Sequence, residues 1–131
     1  MTRRQLGAAA AAALLLLGLA AGVQGTESSQ AGGAVTVDPW KIPDHGSPYA
    51  DRQAKVGDSV TFKWSGTHGV YSIPSGDCPE KFEDKAPLKE IAAPKDDGEG
   101  TVKFDQKGTR WYACPVDGHC DAGMKIKFTI S

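Results

Sequence analysis

Residues 56–64 read Val56-Gly57-Asp58-Ser59-Val60-Thr61-Phe62-Lys63-Trp64. A Gly-Asp turn opens onto strict alternation, with Val60, Phe62 and Trp64 on one face and Thr61 and Lys63 on the other. A period of two marks a strand with one face in a core and the other in water. Outward from this stretch the signal recurs at Ala34–Val37, His68–Ile73, Thr101–Phe104, Gly108–Cys114 and Lys125–Ile130. Glycine (16) and proline (8) punctuate the intervals between them. The segment from Pro39 to Pro48 reads as a loop crossing to the next strand, with Trp40 and Ile42 tucked beneath it. The segment from Pro74 to Gly100 is the least regular, and a short helical turn is expected at Glu80–Lys85 or Leu88–Ala93. Six or seven short strands separated by turns predict an all-β sandwich of two sheets.

The chain has 131 residues and a formal net charge of −1, which fits one globular domain. Residues 1–25 contain Arg3 and Arg4 and no acid, so their removal leaves −3. Such a balance provides no basic field for nucleic acid or an anionic membrane. Arg3 and Arg4 precede an uncharged Ala/Leu run, Leu6–Ala21, with small residues at Ala20-Ala21-Gly22 and Gly25. That pattern predicts a cleaved signal peptide over 1–25. A flexible lead-in is expected over 26–33 and the folded domain over 34–131. The expected product is secreted or extracellular (apoplast, cell wall or a periplasm-like compartment), with no stable membrane anchor.

Export sets the terms for the cysteines. Thiols pair outside the cytosol, yet there are three: Cys78, Cys114 and Cys120. The one left over is intermolecular, reactive or a metal ligand. The run Cys114-Pro-Val-Asp-Gly-His119-Cys120-Asp-Ala-Gly-Met124 places a thiol, an imidazole and a thioether on one loop between the last two strands. A thiolate, two imidazoles and a weak axial thioether form the ligand set of a blue-copper site. His68, at the start of a strand, is the candidate for the second imidazole, and His45 reads as a solvent-facing turn residue that nothing ties to the site. Zinc also binds Cys and His, but it normally recruits a fourth strong ligand, which methionine is not.

The motif Cys114-x4-His119-Cys120-x3-Met124, preceded by Trp111-Tyr112 and containing Gly118 and Gly123, resembles the phytocyanins, a secreted branch of the cupredoxins. The strand around Val60 and the landmarks Trp40-Lys-Ile-Pro43 and Tyr49 are similar to that family as well. The resemblance implies a cupredoxin-like Greek-key β-sandwich holding one type 1 copper. It assigns His68, Cys114 and His119 as equatorial ligands, Met124 as the axial ligand, and a disulfide to Cys78 and Cys120. The axial Met124 is plantacyanin- or uclacyanin-like and separates the chain from the branch that uses Gln. One departure stands out: Gly69 occupies the position after the first His ligand, where relatives usually carry Asn or Asp, so that brace is missing or supplied elsewhere.

The function this implies is one-electron transfer outside the cytosol, with a transient redox partner protein or a small donor or acceptor, by a monomer. An enzyme is not expected, because copper enzymes on this fold need many more histidines and only His45 is left over. The competing reading is an extracellular copper-sequestering or cell-surface interaction module without redox turnover.

Overall fold

A computed structural model describes residues 32–131 of the chain. The expected signal peptide over 1–25 and most of the lead-in lie outside the described residues. Eight strands follow one another: β1 (Ala34–Val37), β2 (Arg52–Ala54), β3 (Ser59–Lys63), β4 (Thr67–Ile73), β5 (Lys89–Asp96), β6 (Glu99–Lys103), β7 (Gly108–Ala113) and β8 (Lys125–Ile130). They form a three-stranded sheet, β1-β3-β6, and a five-stranded sheet, β2-β8-β7-β4-β5. Both sheets are mixed, since β1 runs parallel to β3 and β2 parallel to β8 while the other pairs are antiparallel. The chain crosses between sheets at every connection except β4–β5 and β7–β8. This is the all-β, two-sheet Greek-key sandwich expected from the sequence.

Alternation explains which face each strand buries. Val60 and Phe62 of β3, and Ile126, Phe128 and Ile130 of β8, point inward, and every one of them is buried. Trp40, Phe62, Tyr112, Phe104 and Phe128 form a chain of tilted and edge-on ring contacts through the core, with centroids 4.9–6.4 Å apart. Each such side chain removed from water contributes about 1.5–3 kcal/mol, and no polar or charged side chain is buried among the described residues.

Turn chemistry locks the sandwich ends. Asp58 accepts from the N–H of Gly33 at 2.7 Å and from that of Lys55 at 2.9 Å, fixing the turn into β3. At the other end, the Gly66 N–H donates to Asp97 Oδ1 and the Trp64 indole N–H donates to the carbonyl of Lys95, both at 2.9 Å. The β3–β4 and β5–β6 turns are thus tied together beside His68.

The structure corrects three local expectations. Residues 89–96 form β5 rather than a helical turn, and no helix occurs among the described residues. An edge strand with Ala92, Ala93 and Pro94 has weak intrinsic strand preference, and its pairing with β4 overrides that. Residues 52–54 supply an eighth strand too short to show a period. Trp40 is fully buried as expected, but Ile42 is 37% exposed.

Candidate metal centre

Strand β7 ends at Ala113, and Cys114 opens the loop that returns to β8. The Cys114 N–H donates to the Met124 carbonyl at 3.1 Å, closing the loop at its mouth. Inside it, the His119 N–H donates to the Val116 carbonyl (2.9 Å), the Gly123 N–H to that of Cys120 (2.9 Å) and the Met124 N–H to that of His119 (3.0 Å). Successive turns this tight need left-handed backbone, supplied by Gly118 (φ 79°) and Gly123 (φ 101°). Gly123 is required for a second reason: a Cβ there would lie 2.7 Å from the carbonyl oxygen of Gly46. The segment carrying His45 is therefore backed against the ligand loop, contrary to the expectation that nothing ties it there. His45 itself is exposed and lies outside the donor cluster.

His68 is the second residue of β4, paired with Lys95 of β5. It faces the loop so that His68 Nδ1 lies 3.2 Å from His119 Nδ1, and the Cys114 sulfur lies 3.8 Å and 3.4 Å from those two nitrogens. These three donor atoms fall within 4.8 Å of one another. Both imidazoles present Nδ1 to the cluster. Cys114 is buried, the two histidines are partly exposed, and Met124 is fully buried in the same core cluster as Cys114. The disulfide joins Cys78 to Cys120, across a separation of 42 residues, and leaves Cys114 as the free thiol.

The site's electrostatics follow from burial. Desolvation pushes the Cys114 thiol above its ordinary pKa, opposed by hydrogen bonds from the backbones of Gly69 and Val116. Desolvation also holds both imidazoles below theirs, helped at His68 by the charge of His119 and opposed at His119 by Asp117. The pocket therefore keeps two neutral nitrogen donors ready and leaves the sulfur needing a cation before it gives up its proton. Soft sulfur with two imidazoles, a buried thioether nearby and no carboxylate in the cluster fits a single type 1 copper ion.

How the segment after His68 is held has no signature in the sequence. Gly69 pairs with neither neighbouring strand: the β4–β5 register jumps from His68 to Val70, and β4–β7 pairing begins at Tyr71. Any side chain is excluded, because a Cβ would lie 2.8 Å from the Ala92 carbonyl oxygen and 3.0 Å from the Pro94 nitrogen. The Gly69 carbonyl instead accepts the indole N–H of Trp40 at 2.9 Å in a buried contact. A tryptophan 29 residues upstream thus braces the position where a side chain was expected.

Comparison with known proteins agrees with this geometry. A family described as "Plastocyanin-like domain" matches residues 40–124. Chemocyanin of Lilium longiflorum is 31% identical over 93 residues, covering 70% of this chain and 68% of that protein. Early nodulin-like protein 15 of Arabidopsis thaliana is 31% identical over 97 residues, covering 70% of this chain but only 52% of its own length. The solved structure of cucumber basic protein, described as a blue copper protein, superposes with a TM-score of 0.53 at 23% identity over 76% of this chain and all of that one. The chain belongs to the plastocyanin-like proteins, as a cupredoxin of the phytocyanin type.

Proposed function

We propose that the chain binds one copper as a type 1 centre and carries single electrons outside the cytosol. The observation that carries this reading is the convergence of the His68, Cys114 and His119 donor atoms within 4.8 Å at one end of a braced sandwich. His68, Cys114, His119 and Met124 are the residues that would hold the copper. When bound, copper supplies a one-electron couple between Cu(I) and Cu(II). The chain's part is to hold the donors still. The loop hydrogen bonds fix Cys114, His119 and Met124, the Cys78–Cys120 bridge pins the residue next to His119, and β5 pairing fixes His68. Donors that stay in place across both oxidation states keep reorganisation small.

The partly exposed edge of His119 is the proposed exit to a partner, a small redox protein or molecule met in a weak transient encounter. The Arg3-Arg4 and Leu6–Ala21 pattern supports cleavage of 1–25, with 26–33 as lead-in and 34–131 as the working domain. The disulfide supports an oxidising compartment. With His68 and His119 occupied, only His45 remains, which supports a carrier rather than an enzyme.

The test is Cu(II) titration of mature protein and of Cys114→Ser. Wild type is expected to turn intensely coloured with a narrow copper hyperfine splitting, and the variant to lose both. An ordinary splitting unchanged by the substitution refutes thiolate coordination. Copper bound in a coloured site that exchanges no electrons with small redox proteins would favour sequestration.

A further inference from the structure

We propose that Trp40 is a positioning residue for the sulfur donor, acting through the Gly69 peptide unit. For its redox consequence the inference rests on the function proposed above; its structural part does not.

Gly69 is buried and sits where the register of both neighbouring ladders lapses. Buried backbone groups must nevertheless be satisfied. The carbonyl takes the Trp40 indole N–H, and the backbone of Gly69 hydrogen-bonds the Cys114 sulfur. One residue therefore faces the sulfur with one group and Trp40 with the other. Trp40 is a rigid anchor: it is fully buried, packs against Phe62 at 4.9 Å and Tyr49 at 5.2 Å, and its backbone N–H donates to the Lys63 carbonyl at 2.8 Å. Across the gap, Ala92 and Pro94 of β5 press against the open side of Gly69 and prevent a side chain from taking over the role.

Hydrogen bonds to a coordinating cysteine sulfur draw off electron density and tune the potential of the site. Loosening the Gly69 peptide weakens that donor, which favours the oxidised form, so the midpoint potential falls and the sulfur-to-copper band moves.

Two variants separate the hydrogen bond from the packing. The first replaces Trp40 alone by benzothienylalanine, which keeps the bicyclic ring and lacks the N–H; the second is Trp40→Phe. Ile130→Ala, in the core at the far end of β8, is the control for general loss of stability. In metal-free protein the Gly69 amide is expected to exchange with solvent roughly tenfold faster in the isostere, the worth of one buried hydrogen bond. In copper-loaded protein the potential is expected to fall and the band to shift in both Trp40 variants, with neither change in Ile130→Ala. Gly69 exchange at the wild-type rate overturns the proposal. So does a potential that stays put while exchange quickens, or one that Ile130→Ala moves equally. If loaded wild type is colourless, the proposed function fails, and the exchange rate still decides whether Trp40 holds this peptide.

Discussion

Cutting the disulfide tests how far this sandwich depends on it. Cys78 and Cys120 are 42 residues apart, and the loop between them includes the irregular segment after β4, all of β5 to β7 and most of the ligand loop. Cross-linking a loop of that length removes about 4 kcal/mol of chain entropy from the unfolded state. A domain this small is typically only 5–15 kcal/mol stable, so Cys78→Ala/Cys120→Ala should lose a large share of the total. The assay is urea unfolding of metal-free protein, followed by the fluorescence of its three tryptophans. Metal is left out because a ligand that binds only the folded state would add its own stabilisation. At a slope of about 1.5 kcal/mol per M, the midpoint should fall by roughly 2.5 M. A fall below about 0.5 M at unchanged slope would show that the irregular segment stays compact without the bridge, and the entropic argument would be wrong. Because Cys120 follows His119 directly, the same variant should also retain copper less well.

Other expectations follow from single residues. Gly69→Ala forces the β5 backbone to move and should cost about 1–3 kcal/mol, whereas Gly118→Ala, with nothing within 4 Å of the added carbon, should cost about 1–2 kcal/mol of backbone strain alone; urea midpoints that reverse this order would refute the packing argument. Burial raises the pKa of all three tyrosines, Tyr112 to about 12 against the opposing charge of Arg110. The unfolded chain releases these protons near pH 10, so the folded state binds more protons above that point. The Tyr112 contribution, roughly 3 kcal/mol, is fully present below pH 10 and disappears as pH rises towards 12; tyrosinate absorbance of native protein at pH 10 should stay well below half its full value. The Asp58 carboxyl is held below the usual range, first by the Gly33 N–H and then by that of Lys55. Its contribution is present above its unfolded pKa near 4 and is lost as pH falls through the lower folded value. Asp58→Asn should therefore flatten the acid limb of a stability–pH curve.

The strands that bury one face were legible because alternation records burial directly, as at Val60, Phe62 and Trp64. The ligand loop was legible because four chemically unusual residues lie within eleven positions. Strand β5 was not, since its residues make a strand only by virtue of β4 alongside them. Ile42 was misplaced because an apolar residue in a loop carries no period to say which way it points. The brace at Gly69 was invisible for a different reason. It joins an indole to a peptide carbonyl 29 residues away, and a backbone acceptor has no signature in sequence. The packing of Gly46 against Gly123 is hidden in the same way, because both partners are main chain.

The parallel pairing of β2 with β8 bears on the order of events as the chain is made. Delivered from its N-terminus, the polypeptide offers residues 52–54 no companion until residues 125–130 have emerged. Met124 immediately precedes β8, so the proposed donor set is incomplete until residue 124 has been added. A fragment stopped before residue 124 would lack both the β2–β8 pairing and the complete set of proposed donors, so filling of the proposed site would have to wait for the whole loop from Cys114 to Met124.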